Sequence, residues 1–314
     1  MRKPPSPTLI LAYPVSGGLG LFAVAVTVLI GLKRLSIDRF DVAPIAFRHE
    51  PWRLFLSIFP HIGFFHLVFN VYWLWVLGTS IEEVFGHAKT AALIVLFAVV
   101  SMTAEFALFD GGVGLSGVGY GLVGLLWVLA KHDRRFADAV DQRTVNLMTV
   151  WFFLCIALTI TKVQPVANVA HGVGALLGVL VGVILVEKRA AFRALAGLGL
   201  ASVVAFAGLG ATKLRPLINL SKTAGLRSAQ EGNRAITAEH YDEALINYQD
   251  AVAMSPREAS FRFNLGVAHE RLGHFGEACA AFKRSSELDP TNRKFAEAAR
   301  SECDRSPVDD TRSP

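Results

Sequence analysis

Residues 168–182 read Asn-Val-Ala-His-Gly-Val-Gly-Ala-Leu-Leu-Gly-Val-Leu-Val-Gly, an apolar run in which Gly174, Gly178 and Gly182 recur every four residues. On a helix this period lines the three glycines along one face, smooth enough for a second helix to approach backbone to backbone. His171 stands one turn before Gly174 on roughly the same face, so it points at that neighbour. A polar side chain in a segment this apolar is costly, and such residues usually have a function or a partner within the bundle. The stretch therefore predicts a close-packed membrane helix carrying an imidazole with work to do.

The rest of the chain agrees with a lipid setting. Of 314 residues 53% are hydrophobic and 18% charged, with a mean hydropathy of +0.43; a soluble domain carries about 25% charged residues. Apolar stretches long enough to span lie at about 12–32, 61–79, 91–109, 115–131, 145–162, 167–186 and 194–212. The first follows Arg2 and Lys3 and resembles a signal peptide, but it is long for one and is read as an uncleaved span. Between spans one and two, residues 33–60 carry Trp52 and Arg53 ahead of Leu54, Phe55, Ile58 and Phe59, a pattern suited to the membrane interface. Basic residues cluster before span one (Arg2, Lys3), between spans four and five (Lys131, Arg134, Arg135, Arg143), and between six and seven (Lys188, Arg189, Arg193). With seven spans all three clusters share one side, which the positive-inside rule makes cytoplasmic. Ser116 and the C-terminal tail then belong to the outer face; without the seventh span the tail is cytoplasmic. The net charge of +5 contains no basic block interleaved with aromatics, so nucleic acid is not an expected partner. Of three cysteines, Cys155 reads as a small core residue, whether Cys279 and Cys303 pair is left open, and no Cys-x-x-Cys metal spacing exists.

From about residue 223 charges become frequent and a 34-residue period appears: Gly232 returns as Gly266, Ala244 as Ala278, Tyr248 as Phe282 and Pro256 as Pro290. That is the spacing of a tetratricopeptide (TPR) repeat, a helix-turn-helix unit whose small residues let two helices close up. Two repeats alone are marginal, which casts Lys294–Cys303 as a capping helix. The domains expected are a membrane domain at 1–222, a small soluble α-helical TPR domain at 223–303, and a disordered tail at 304–314.

Candidate chemistry comes from three places. Ser116, in Gly114-Leu-Ser-Gly117-Val, follows the glycines at 111, 112 and 114 and opens a helix; position 118 is valine, so this is not a Gly-x-Ser-x-Gly elbow. If span six packs on span four, the Ser116 hydroxyl and the His171 imidazole can meet as nucleophile and general base. Tyr120 shares the face of Ser116 and is placed to orient the imidazole. No acidic residue stands on the apolar faces of spans four or six, so a Ser-His dyad is the reading. His66 and Asn70, four apart on one helix face, can both donate to an oxyanion alongside a backbone amide near Ser116. Each of these residues also has an ordinary structural use: a serine bonding back to its helix, a histidine bonding a carbonyl across helices, a tyrosine filling a core.

Taken in order, His61-(x4)-His66-(x3)-Asn70, Trp73 and Trp75, Gly114-Leu-Ser-Gly-x-x-Tyr120 and Ala170-His171-x-x-Gly174-x-x-x-Gly178 resemble the rhomboid intramembrane serine proteases, over roughly residues 45–190. Trp52-Arg53 and Glu82 are similar to further features of that family, in its first long loop and at the inner end of its second helix. The resemblance implies an all-α, polytopic membrane bundle: a six-helix core plus one C-terminal helix (about 194–212), followed by the TPR domain. It makes Ser116 the nucleophile and His171 the base. It places His66 and Asn70 in the oxyanion hole, with Tyr120, Gly114, Gly117 and Gly174 as orienting or supporting residues. The substrates implied are transmembrane proteins, cut near the exoplasmic face of a bacterial cytoplasmic membrane with water and without metal or cofactor. The TPR extension lies outside the shared core and is expected to recruit a protein partner or the substrate's soluble part. Three rival readings remain. A catalytically inactive rhomboid-like chaperone or scaffold is the first, although such relatives typically lack the serine or the histidine kept here. A haem protein ligated by His66 and His171 gives Ser116 and Asn70 no role. An anchored TPR scaffold does not need seven spans.

Overall fold

The computed structural model describes residues 4–305, so Arg2, Lys3 and positions 306–314 of the expected tail lie outside the described residues. All regular structure among the described residues is helical. The chain divides into two compact units: one holds residues up to 42 and 51–218, the other residues 43–50 and those from 219 on.

The first unit is built from α1 (Pro14–Gly31), α2 (Phe64–Phe85), α3 (His87–Leu108), α4 (Ser116–His132), α5 (Gln142–Ile160), α6 (Asn168–Val186) and α7 (Ala190–Ala211). All but α4 are at least 18 residues long and apolar enough to cross a membrane. α4 has 17 residues, about 25 Å of helix, and carries the most heavily buried sequence around the site. Where span two was expected at 61–79, the helix starts at Phe64, after Pro60 and a Gly63 at φ +90°. It runs on to Phe85 through a one-turn π-helix at Leu74–Gly78. The extension ends near Glu82, a carboxyl group that is 2% exposed. That group is tolerated in the bundle because it accepts from Val15 N–H and Ser16 N–H, each at 2.9 Å, and from the Ser16 hydroxyl at 2.6 Å. His87 Nδ1 lies 2.7 Å from the same carboxylate. The 33–60 stretch holds short helical turns at Ile37–Arg39, Pro44–Phe47 and Arg53–Leu56. Trp52 is exposed there, and Arg53 Nη1 donates to the Asp38 carbonyl at 2.8 Å.

The glycine face of α6 meets α4. A Cβ on Gly174 would collide with the Gly117 carbonyl, and one on Gly178 with the Gly121 carbonyl. In return Gly124 abuts the Ala175 carbonyl, and Gly182 lies under Val128. The two backbones touch along three turns because no side chain separates them, and in lipid such close packing is what holds helices together.

In the second unit, α8 (Ala224–Thr237), α9 (Tyr241–Met254), α10 (Ala259–Arg271) and α11 (Phe275–Leu288) form two helical hairpins. Their equivalence is physical as well as numerical: Gly232 lies under the Tyr248 ring and Gly266 under the Phe282 ring. Ala244 and Ala278 are each fully buried. α12 (Arg293–Arg305) closes the array through Phe295, whose ring stacks on Phe263 at 4.9 Å, and it contains the first two residues of the expected tail. Cys279 and Cys303 form a disulfide that ties α12 to α11. Residues 43–50 belong here: the turn Pro44–Phe47 packs on α9 with Ile45 and Ala46 buried, and Arg48 Nη1 donates to Gln249 Oε1 at 3.2 Å.

Two measurements check these contacts. Gly178→Ala pushes a methyl into backbone and should destabilise the detergent-solubilised protein by about 1–3 kcal/mol. Gly197→Ala on α7, where a Cβ meets nothing within 4 Å, should leave the thermal midpoint in place. Thiol titration of the denatured, unreduced chain should count one free thiol, Cys155, and three after reduction.

Candidate active site

Ser116 is the first residue of α4, and His171 lies in the first turn of α6. Their two helices are in backbone contact at Gly117 and Gly174, so the side chains just outside that contact are forced together. His171 Nε2 stands 2.7 Å from Ser116 Oγ. The imidazole is 3% exposed. Its Nδ1 is buried and has no hydrogen-bond partner among the described residues. With Nε2 taking the hydroxyl proton, Nδ1 carries the ring hydrogen, and no carboxylate reaches it. The ring is held by stacking instead: Tyr120, one turn beyond Ser116, lies 4.7 Å from it at an interplanar angle of 30°. Tyr120 is itself pinned by its hydroxyl, which donates to the Met148 carbonyl on α5 at 3.0 Å, and by the edge of Phe152 at 5.9 Å.

The serine's approach is shaped by the loop between α3 and α4. Gly114 adopts φ +114°, a left-handed conformation that favours glycine. A Cβ there would also press on the His66 ring at 2.9 Å and approach His61 at 3.5 Å. The Gly114 N–H donates to the Ser57 carbonyl at 3.0 Å. The Leu115 N–H donates to His61 Nε2 at 3.3 Å. His61 Nδ1 lies 2.9 Å from the Phe59 carbonyl, so that nitrogen carries the hydrogen and Nε2 is the acceptor. His61 is thus a support of the serine loop. Its place ahead of His66 was visible in the sequence, while its contact with residue 115, 54 positions away, was not.

His66 and Asn70 lie on α2, the His66 ring against Gly114 of this loop. The His66 ring packs 4.8 Å from that of His61, and its Nδ1 is buried without a partner among the described residues. Asn70 is 5% exposed and donates one amide hydrogen to the His66 carbonyl at 2.9 Å, leaving the second. The structure thus gathers Ser116, His171 and Tyr120 by direct contact. It sets His66 against Gly114 and ties Asn70 to His66. Gly117 and Gly174 are the contact point of α4 and α6. The sequence reading missed Glu105 on α3, buried to 3% exposure, whose Oε2 accepts from the Ala170 N–H at 2.9 Å. The signal for it was present: a lone acid inside an apolar span. Among the described residues no cluster of three or more potential metal ligands exists.

The site's far wall is α5, of which only Thr144, Met148 and Cys155 are buried. α5 meets α2 through Phe69 and Trp151, stacked at 4.9 Å and 25°.

Comparison with known proteins places both units. Residues 48–188 match the rhomboid domain family, and residues 230–293 match the tetratricopeptide repeat. The Rhomboid protease GlpG of Klebsiella pneumoniae (strain 342) is 28% identical over 173 residues, 51% of this chain and 61% of that protein. The Rhomboid protease GlpG of Salmonella newport (strain SL254) is 31% identical over 106 residues, 33% of this chain and 38% of that protein. The chain therefore spans about three fifths or less of the length of these curated relatives. The multi-pass helical bundle and these matches agree: the chain carries a rhomboid domain over residues 48–188, homologous to the Rhomboid protease GlpG proteins, and a tetratricopeptide repeat over residues 230–293.

Proposed function

We propose that this protein is an intramembrane serine protease that hydrolyses peptide bonds of membrane-anchored proteins with a Ser116–His171 dyad. The observation that carries this reading is the 2.7 Å contact between Ser116 Oγ and His171 Nε2, two largely buried groups 55 residues apart. His171 takes the hydroxyl proton as Ser116 Oγ attacks the scissile carbonyl. The same proton then goes to the departing amine, leaving an ester on Ser116. Water, deprotonated by His171, releases the second product and restores the serine. The oxyanion formed in each attack is met by the Ser116 backbone N–H and by donors from His66, which stands against Gly114, and from Asn70, one turn further along α2. Tyr120 does by stacking what a carboxylate does in a triad, fixing the imidazole's orientation.

A scissile carbonyl engaged in helix hydrogen bonds is closed to attack, so the substrate helix has to unwind where it meets Ser116. α5 is the wall with the fewest buried residues, and the gap between α2 and α5, closed by the Phe69–Trp151 stack, is the access route from the lipid.

The same reading assigns the membrane domain to 1–222, the repeats to 223–303, and both the Ser116 loop and the repeats to the exoplasmic side of a bacterial cytoplasmic membrane. Three observations support the last point. The end of α7 lies beside the end of α3, which leads into the Ser116 loop: a Cβ on Gly210 would stand 3.1 Å from that of Ala107. Beyond it Arg215 Nε donates to the Phe106 carbonyl at 3.2 Å, its guanidinium 4.0 Å over the Phe106 ring. The disulfide in the second unit suits an oxidising compartment. The repeats, through their concave face, recruit a protein partner or the soluble portion of a substrate.

The test needs no known substrate. A fluorophosphonate probe should label the purified chain, fail to label Ser116→Ala, and label His171→Ala at least about 10³-fold more slowly. Asn70→Ala should slow the chemical step by about 10²–10³ with little change in probe affinity. Labelling that survives Ser116→Ala ends the serine mechanism, and a chelator should change nothing.

A further inference from the structure

Helices α1 and α6 share a defect at their starts. The residue preceding each helix, Tyr13 for α1 and Ala167 for α6, makes no side-chain capping bond. The first amides of a helix have no partner within it, and away from water each unpaired N–H is expensive. Both helices receive the missing acceptor from another span. Glu82 of α2 accepts from the second and third residues of α1, Val15 and Ser16. Glu105 of α3 accepts from the third residue of α6, Ala170, at 2.9 Å. The two devices coincide at the third residue of each helix, but only one sits at the chemistry: the residue after Ala170 is His171.

Glu105 is tied to the serine side as well. Its own carbonyl accepts from the Phe109 N–H at 2.8 Å and so ends α3 where the Ser116 loop begins. Within that loop Gly112 lies against Ala167, the residue leading into α6; a Cβ on Gly112 would stand 2.7 Å from that of Ala167 and 3.9 Å from Glu105 Cγ. One buried residue thus joins the start of the nucleophile's loop to the start of the base's helix. The Gly117–Gly174 contact holds the same two elements on the other side of Ser116.

The geometry points to Glu105 as a positioning residue for the dyad: its carboxyl group, by capping the Ala170 amide in the first turn of α6 across the bundle, sets the height and tilt at which His171 meets Ser116. This rests on the protease reading above. It differs from triad chemistry, since the carboxyl group bonds a backbone amide and not the imidazole. What matters is an acceptor at that reach.

The experiment follows fluorophosphonate labelling of the full chain in detergent, separating the maximal inactivation rate from the probe's apparent affinity. Glu105→Leu removes the acceptor. Glu105→Asp keeps a carboxyl group but is one methylene too short to reach the Ala170 amide. Each should lower the maximal rate by about 10- to 100-fold, the scale of a misplaced reacting group, with affinity within about twofold. Glu105→Gln retains an acceptor oxygen at full length and should recover a large part of the rate. If Glu105→Leu does not fold, Glu105→Asp decides in the same terms. Wild-type rates in Leu and Asp overturn the assignment. So does a Gln variant as slow as Leu, a loss confined to affinity, or failure of all three to fold, which would make Glu105 a folding residue only. A wild-type chain that does not label, or a Ser116→Ala chain that does, sinks the protease reading instead, and the two failures are told apart by these controls.

Discussion

Backbone contact between α4 and α6 is the constraint on which the site depends. Where side chains separate two helices, the distance between them varies with rotamer and repacking. Where carbonyls meet glycine Cα atoms, as at Gly117–Gly174 and Gly121–Gly178, there is nothing left to adjust. Ser116 adjoins the first of these contacts and His171 precedes it by one turn, so a hydrogen bond of 2.7 Å is a consequence of helix packing. In water such a seam would compete with hydration of the exposed backbone. In lipid there is no such competitor, and small residues at the interface are the main means of bringing helices close.

The groups that this seam does not position are held by polar bonds from outside it. The loop before Ser116 is anchored at two consecutive amides, Gly114 to the Ser57 carbonyl and Leu115 to His61. His61 is in turn oriented by the Phe59 carbonyl. The loop's left-handed turn at Gly114 leaves room for the His66 ring, which a side chain would displace. The loop is held by these bonds, while the imidazole Nδ1, the His66 Nδ1 and the second amide hydrogen of Asn70 make no hydrogen bond among the described residues.

How much of this was legible in sequence follows from the range of each interaction. The close-packing face of span six was readable because the glycine period is local to 168–182 and the cost of His171 in an apolar run is local too, whereas its partner, span four, entered the sequence reading only as a condition. Tyr120 was readable from its i+4 relation to Ser116. The TPR hairpins were readable because a 34-residue period repeats the same glycine-on-aromatic contact twice. What escaped depends on partners far along the chain. The caps supplied by Glu82 and Glu105 span 66 and 65 residues respectively. The Cys279–Cys303 bond requires knowing which faces of α11 and α12 meet. Residues 43–50 read as part of an interfacial loop, yet their apolar pair Ile45 and Ala46 is buried on α9, about 200 positions later. The start of α2 was misjudged by three residues because hydropathy does not register Gly63, whose conformation ends the preceding segment.

Glutamates inside the bundle show why hydropathy alone undervalues charged residues in spans. A carboxyl group in hydrocarbon is unfavourable, and so is a helix start whose amides face no acceptor; each penalty is several kcal/mol in order of magnitude. Placed together they largely cancel, since the helix's first N–H groups and its dipole both favour a negative group there. α1 and α6 both lack a capping side chain of their own, and each receives one. The pairing also fixes which helices are neighbours and at what register, a specificity that apolar contacts with lipid-like side chains do not supply. In this fold the device was free to be used where register matters most, at the turn of α6 that carries the imidazole.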